Sequence, residues 1–173
     1  MIELVVIGAT LALAAGASGA QLHRRITATR TLAAYATSRR HLFVPAPEKP
    51  RGASPRVEGE RDDVRFVIDL YKRRDILRTR VSANVLRGRL PRFEITRART
   101  LAETPDDADA VIHHAGDALK ALRARHDVVL SSDGTRVAFT WEGIETNPLL
   151  LDAARDAVTA LATMHAPGAV PYR

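Results

Sequence analysis

Residues 64–83 read VRFVIDLYKRRDILRTRVSA, and this stretch decides the fold class. Every second side chain is apolar from Val64 to Leu70, and a second alternation runs from Leu77 to Ala83, with Lys72 to Asp75 as the turn between them. A period of two is typical of strands that bury one face. The stretch therefore predicts an antiparallel pair with one face against a core and the other in water.

Further strands are predicted on the C-terminal side of this pair. Phe93 and Ile95 form a short third strand, after breaks at Gly88 and Pro91. Residues 128–130 and 137–141 flank the tetrapeptide Ser-Asp-Gly-Thr at 132–135. Asp-Gly accepts the positive φ angles of a tight turn, so these segments predict a hairpin.

Two helices are predicted from their first residues. Thr104-Pro105-Asp106-Asp107 combines a cap, a proline in the first turn and two acids near the positive end of the helix dipole. Asn147-Pro148 begins the second helix, which Ala166-Pro167-Gly168 ends. The order of strands, helix, hairpin and helix predicts an α+β fold, a mainly antiparallel sheet with two helices packed on one face.

An apolar stretch precedes this domain, from Ile2 to Ala20, with Glu3 as its one charged residue. As a helix it would be about 28 Å long, close to the hydrocarbon thickness of a bilayer. Residues 1–20 are therefore predicted to be a transmembrane anchor. A cleaved signal peptide ending at Ser18-Gly19-Ala20 and a buried soluble helix are the alternatives.

The flanking charges predict the orientation of this anchor. No Lys or Arg precedes the apolar stretch, whereas Arg24, Arg25 and Arg30 follow it. Positive residues stay in the cytoplasm, so the C-terminal domain is expected on the cytoplasmic side of a bacterial inner membrane. A signal peptide would normally carry its positive charge before the apolar run.

Small residues recur every fourth position within the anchor, at Gly8, Ala12, Gly16 and Ala20. They share one helix face, and such faces let membrane helices approach closely. This pattern favours a homo-oligomer or a partner helix, although alanine is frequent throughout the chain.

The segment between anchor and domain divides into two parts. Residues 21–44 are predicted to be a basic juxtamembrane helix, whose apolar stripe contains Leu22, Ile26, Thr29, Ala33 and Ala36. That helix either continues the anchor into water, lies on the headgroups or pairs with another helix. Residues 45–60 carry four prolines and are predicted to be a linker, which places the α+β domain at 61–166 and a tail at 167–173.

Charge is distributed unevenly along the chain. Residues 21–99 carry a net charge of +12, and residues 100–173 carry −5. A basic region near a membrane is attracted to anionic lipid. The basic half is accordingly expected against the bilayer and the acidic half away from it, although the 23 arginines and 3 lysines also indicate a coding bias.

Arginines are the candidate binding residues, for anionic lipid or for an acidic partner protein. The candidates are Arg24, Arg25, Arg30, Arg39, Arg40, Arg78, Arg80 and Arg92. Arg78, Arg80 and Arg92 would form one patch if the second and third predicted strands pair. A solvated sheet face is the alternative, and nucleic acid is disfavoured because interleaved aromatic residues are missing.

No catalytic residue, cofactor site or metal site is predicted. The chain has no cysteine, which excludes disulfides and thiolate chemistry, and it has no phosphate-binding loop, dinucleotide fingerprint or hydrolase motif. Asp109, His113 and Asp117 share a helix face, but that face is expected to be solvated in any case.

Three short motifs carry a resemblance: Arg56-Val57-Glu58-Gly59, residues 63–67 (DVRFV) and residues 79–83 (TRVSA). Across residues 1–97 the chain resembles uncharacterised bacterial proteins with one N-terminal membrane helix and a small α+β domain of unknown function. The resemblance implies the same architecture, and these proteins have no known activity that could be carried over. The sequence thus indicates a membrane-anchored adaptor or accessory subunit, with a nucleic-acid-binding protein or an enzyme as alternatives.

Overall fold

An eight-stranded antiparallel sheet organises the chain in a computed structural model, which describes residues 23, 26–47, 54–74, 76–86, 90–102 and 105–164. The strands are β1 (Leu42–Val44), β2 (Arg56–Arg61), β3 (Val64–Arg73), β4 (Ile76–Asn84), β5 (Phe93–Ile95), β6 (Thr100–Ala102), β7 (Val129–Ser132) and β8 (Arg136–Glu142). Their order across the sheet is β1-β2-β3-β4-β8-β7-β5-β6. The helices are α1 (residues 26–39), α2 (Pro105–Arg123) and α3 (Pro148–Thr163).

Several predicted elements are confirmed. The alternation in residues 64–83 forms the hairpin of β3 and β4, and the Asp-Gly turn joins β7 to β8, with Gly134 at a φ of 98°. Both predicted helices begin at their prolines, and the side chain of Asn147 accepts a hydrogen bond from the amide of Leu149 as the cap of α3. The α+β class is therefore correct, with three helices on the sheet instead of two.

One face of the sheet and the three helices enclose the core. Neighbouring strands align their buried side chains in rows, such as Phe66, Ala83 and Val137 on β3, β4 and β8. Leu122 of α2 and Leu161 of α3 are fully buried in the same cluster. Because side chains alternate along each strand, the remaining side chains point to the other face of the sheet. No described helix packs on that face.

The helix predicted at 21–44 is part of this core. Residues 26–39 form α1, whose Ala28, Leu32, Tyr35 and Ala36 are buried against the sheet and α3. The predicted stripe was wrong in register, because Ile26 is 41% exposed and the buried stripe passes through Ala28 and Leu32. Two of the predicted alternatives, a helix on the lipid headgroups and a helix that continues the anchor into water, therefore do not apply to residues 26–39.

The linker predicted at 45–60 was also wrong at its C-terminal end. Residues 56–61 form β2, which pairs with β1 on one side and β3 on the other. The β2–β3 turn has Asp62 and Asp63 at positive φ, as a tight hairpin requires. The domain thus begins with α1, well before the predicted boundary at residue 61.

The predicted pairing of the second and third strands does not occur. β4 pairs with β3 and β8, while β5 pairs with β6 and β7. The two strands of the C-terminal hairpin therefore separate β4 from β5, and Arg92 does not lie beside Arg78 and Arg80.

Among the described helices, none is both long and apolar enough to cross a membrane. The predicted anchor at 1–20, with Gly8, Ala12, Gly16 and Ala20, lies outside the described residues, as does the predicted tail at 167–173.

Candidate functional site

A polar network joins α1 to α3 at the edge of the core. Tyr35 on α1 is 3% exposed, and its hydroxyl donates to Oδ1 of Asp152 on α3 at 2.8 Å. Arg39, one turn further along α1, donates to the same carboxylate through Nε at 3.0 Å and Nη2 at 2.5 Å. Side chains one turn apart on α1 therefore converge on one carboxylate.

Arg155 extends the network along α3 and towards the sheet. Its Nη1 lies 2.9 Å from Oδ1 of Asp152 and 3.3 Å from the hydroxyl of Tyr35. Its Nη2 lies 2.7 Å from Asp156, which also pairs with Arg61 of β2. The Arg155 and Asp152 side chains are only 11% and 17% exposed, so their contact is largely shielded from water and helps to hold α3 against α1. The Arg61–Asp156 pair towards β2 is more exposed, at 43% and 42%.

The network changes the acidity of its members. Burial, together with the hydrogen bond to Asp152, raises the pKa of the Tyr35 phenol. Burial favours the neutral form of Asp152, yet the hydrogen bonds from Arg39 and Tyr35 and the charge of Arg155 outweigh it and hold its pKa below the usual value. Burial and the charge of Arg155 lower the pKa of His41. At neutral pH this arrangement favours a neutral Tyr35, a charged Asp152 and a neutral His41.

Packing around His41 leaves no space for a side chain at position 59 of β2. The His41 ring meets Phe66 edge-on at 5.0 Å between centroids. A Cβ atom at Gly59 would lie 2.5 Å from the Phe66 ring and 2.9 Å from Nδ1 of His41. Glycine at this position therefore lets the loop between α1 and β1 close over the sheet.

This network is built for attachment of α1 and shows no reactive arrangement. Each donor of Arg39 and Arg155 described above meets a carboxylate or the Tyr35 hydroxyl, so the charges neutralise one another. Sequence reasoning did not single out Tyr35, His41, Asp152 or Arg155. Their only signal was the i, i+4 spacing of Tyr35 and Arg39, which gives no hint of a partner more than a hundred residues away.

A second buried pair fixes the end of α2. Nε2 of His126 lies 2.6 Å from Oε2 of Glu145, whose side chain is 4% exposed, and the His126 ring stacks on Trp141 at 5.9 Å. Oε1 of Glu145 accepts a hydrogen bond from the backbone amide of Asn147, which caps α3. The pair thereby ties the end of α2 to the start of α3.

The helix-free face of the sheet, here the open face, is the other candidate surface. Its strand residues include six basic and five acidic side chains, so its charge is nearly balanced. The basic ones are Arg56, Arg65, Arg73, Arg78, Arg80 and Arg136, and the acidic ones are Glu58, Glu60, Asp69, Glu94 and Glu142.

Ion pairs between neighbouring strands account for this balance. Arg80 donates to both oxygens of Asp69, at 2.8 and 2.5 Å, and Arg78 donates to Glu142 at 3.0 Å. Two of the three arginines predicted to form a basic patch are therefore neutralised. Arg92 is exposed before β5, three strands away from β4.

Small side chains occupy the centre of the open face. Val67, Ser82, Ala138 and Ser131 follow one another across β3, β4, β8 and β7. Ser82 is 1% exposed, because the Arg136 side chain reaches over it and donates to its hydroxyl at 2.6 Å. The Arg136 side chain therefore covers Ser82 at the centre of the open face.

The remaining candidate arginines are spread around α1. Arg30 is exposed and lines a groove of about 470 Å³ between α1 and the start of α3. Arg39 pairs with Asp152, and Arg40 is exposed with a φ of 57°, just after α1 ends. Arg24 and Arg25 lie outside the described residues.

Asp109 and His113 are exposed on α2, as predicted for a solvated face. Within the described part of the chain, no three histidine or carboxylate side chains are grouped as metal ligands.

The fold resembles a solved structure. It is similar to the crystal structure of the mycobacterial trehalose monomycolate transport factor A, with a TM-score of 0.55 over 78% of this chain and 92% of that chain. The two sequences are 8% identical, so the likeness concerns the fold alone. No family model matches the sequence, and no curated protein matches it.

Proposed function

We propose that this chain is a membrane-attached binding protein, an adaptor or an accessory subunit of a membrane assembly, and that it acts without catalysis. Its domain lies on the cytoplasmic side of a bacterial inner membrane and is held there by residues 1–20.

The position of α1 carries this proposal. Only residues 21–25 separate the apolar stretch from α1, and α1 is buried along Ala28, Leu32 and Tyr35. Tyr35 and Arg39 are bonded to Asp152 of α3. The helix that follows the predicted anchor is therefore built into the domain, and this short distance along the chain supports a domain that works next to the membrane.

The open face is the proposed binding surface, and its charge favours a protein partner. Nucleic acid and anionic lipid attract surfaces with a clear excess of positive charge. The open face instead has nearly equal numbers of both signs, and Arg78 and Arg80 near its centre are paired with carboxylates. Mixed charge around small central side chains suits a protein surface of similar composition.

The similar fold adds support for an accessory role. The solved protein is named as a transport factor. We extend from it only the idea that a domain of this fold assists a transport system in a membrane.

Leu11→Arg tests the attachment. An arginine near the middle of the membrane costs about 2.5–3.5 kcal/mol on insertion scales. We expect this variant in the soluble fraction and the matched control Leu11→Ala in carbonate-washed membranes. Retention of the arginine variant in washed membranes would contradict a spanning segment at 1–20.

A reporter fused after Arg173 tests the orientation. A reporter that works only in the cytoplasm should be active, because Arg24, Arg25 and Arg30 keep the C-terminal side of the membrane segment in the cytoplasm. Activity of a periplasm-requiring reporter alone would point to the signal-peptide alternative.

A further inference from the structure

We infer that the tip of the β3–β4 hairpin is a second contact with the membrane, on anionic lipid beside the predicted anchor. The tip comprises Lys72, Arg73, Arg74 and Ile76. This contact depends on the proposed function, because an attached domain is what keeps the tip beside a bilayer.

The hairpin projects beyond its neighbours in the sheet. Pairing of β3 with β2 ends at Asp69, and pairing of β4 with β8 begins at Arg78. From there to the turn the two strands pair with each other, as far as Arg73 and Ile76. At about 3.3 Å per residue, Arg73 lies about 13 Å beyond the end of β2, and Ile76 lies about 7 Å beyond the end of β8. The tip can therefore touch a flat surface before β2 and β8 do.

Helix α3 begins at the same end of the sheet as this tip. The amide of Glu145, shortly before α3, donates to Oγ1 of Thr79 on β4 at 3.1 Å. The carbonyl of Ala162, in the last turn of α3, accepts from the amide of Leu86 at 3.2 Å. Because β4 runs away from the tip towards Leu86, α3 begins near the tip and ends far from it.

Helix α1 runs in the same direction as α3 and so also begins near the tip. Arg30 in the first half of α1 lines a groove together with Pro148 at the start of α3. After the end of α1, Nε2 of His41 lies 3.5 Å from Nη1 of Arg155, two turns further along α3. The start of α1, which follows the predicted anchor at 1–20, therefore lies at the same end of the domain as the tip.

Exposed side chains at this end are basic and apolar. Residues 72–74 are all basic and exposed, and residues 72–75 hold three basic residues and one acidic, a net charge of +2. Ile76 is 42% exposed, Ile26 at the start of α1 is 41% exposed, and Leu149 at the start of α3 is 68% exposed. Apolar side chains enter the headgroup region while basic ones are attracted to anionic lipid, so a membrane surface satisfies both kinds. A nucleic acid would satisfy the basic ones alone.

Turns at the opposite end of the sheet are acidic. The β2–β3 turn consists of Asp62 and Asp63, and the β7–β8 turn contains Asp133. Carboxylates are repelled by anionic lipid. The charge of the turns therefore favours an orientation with the β3–β4 tip towards the membrane.

Single cysteines test the contact directly, because the sequence has none of its own. The full chain with Ile76→Cys or Leu86→Cys carries an environment-sensitive fluorophore and is reconstituted into phosphatidylcholine vesicles with about one-third phosphatidylglycerol. Leu86 is the matched control, since it is 47% exposed and lies beyond the other end of β4. We expect a shift of the emission to shorter wavelength and quenching by a lipid-borne spin label at position 76, and neither effect at position 86.

Two matched double substitutions then test the role of charge. Lys72→Ser with Arg73→Ser, added to Ile76→Cys, should remove most of the quenching, because each basic residue near an anionic surface strengthens the contact by about fivefold, or about 1 kcal/mol. Arg65→Ser with Arg92→Ser removes the same charge from exposed positions at the opposite end and should leave the quenching unchanged. Vesicles of phosphatidylcholine alone should give little quenching.

Each outcome is decisive when the variants are folded, which the fluorescence of the single, fully buried Trp141 reports before labelling. Equal quenching at positions 76 and 86, or none at position 76, would overturn the contact and leave the proposed function standing. Quenching at position 76 that persists in phosphatidylcholine alone and in the Lys72→Ser, Arg73→Ser variant would overturn the role of anionic lipid. Loss of the proposed function would appear separately, in the membrane fractionation of Leu11→Arg.

Discussion

Gly59 shows how one residue decides the packing between α1 and the sheet. It lies on the helix-covered face of β2, where a Cβ would approach the Phe66 ring to 2.5 and 2.8 Å. Phe66 is 1% exposed and cannot turn away into solvent. By contrast, a Cβ at Gly116 on α2 would meet no atom within 4 Å.

Alanine at these two glycines should therefore have opposite effects. Gly59→Ala overpacks the core and should lower the free energy of unfolding by about 1–3 kcal/mol. Gly116→Ala relieves a helix of a flexible residue and should raise it by about 0.5–1 kcal/mol. Urea unfolding of the full chain in detergent, followed by Trp141 fluorescence, measures both. A stabilising Gly59→Ala would mean that His41 and Phe66 do not pack as described.

At the scale of elements, the network of Tyr35, Arg39, Asp152 and Arg155 is the main polar connection between α1 and α3. It makes the connection dependent on pH, since folding shifts the pKa of both His41 and Asp152 downward. A lowered histidine pKa means that the unfolded chain takes up the proton first as the pH falls.

Stability should accordingly fall in two steps on acidification. The contribution of His41 is lost as the pH falls below its unfolded value of 6.5 towards its lower folded pKa. The contribution of Asp152 is intact above its unfolded value of 3.8 and is lost as the pH falls through its depressed folded pKa. Urea midpoints from pH 7.5 to pH 3 follow both steps.

Single substitutions show which residue causes each loss of stability. His41→Gln should flatten the profile between pH 7 and pH 5, and Asp152→Asn should flatten it below pH 4 while lowering stability at neutral pH. His113, His114 and His126 are unchanged in both variants, so the differences report the substituted residues. A His41→Gln profile parallel to that of the natural chain would show that this histidine is not coupled to folding.

On the scale of the whole molecule, ion pairs join the basic and acidic halves of the sequence within the residues that the structure describes. Arg39 and Arg61 of the basic half pair with Asp152 and Asp156 of the acidic half, and Arg78 pairs with Glu142. These pairs bring parts of the basic and acidic halves together, and the predicted placement of the two halves relative to a membrane stays a prediction. Arginines outside such pairs, near the start of α1, remain the candidates for lipid contact.

Vesicle binding by a chain beginning at Gln21 tests this distinction with two matched triple variants. Changing Arg24, Arg25 and Arg30 to Ser should remove most binding to acidic vesicles at low salt. Changing Arg39, Arg78 and Arg80 to Ser removes the same charge and should have little effect, because these arginines pair with carboxylates. Equal losses, measured by co-sedimentation of folded protein, would indicate a response to net charge alone.

Periodicity in the sequence was sufficient for the elements with several buried apolar residues. β3, β4, β8 and α3 were all predicted, because alternate or every third to fourth side chains are buried over seven or more residues. β1, β2 and β6 were missed. β1 and β6 have 3 residues each, and β2 buries only Val57, so none has a repeating pattern to recognise.

The sequence by itself determined the α+β class, the β3–β4 and β7–β8 hairpins and the helices α2 and α3, because turn chemistry and hydrophobic period act over a few neighbouring residues. Tertiary structure alone decided that α1 belongs to the core, that β8 and β7 separate β4 from β5, and that Arg39, Arg78 and Arg80 are paired. Tyr35 and Asp152 are 117 positions apart, and Arg78 and Glu142 are 64 apart. Such contacts depend on the order of the strands and on which face of each helix meets the sheet. Burial of side chains from distant parts of the chain selects this arrangement, so a local sequence pattern does not reveal it.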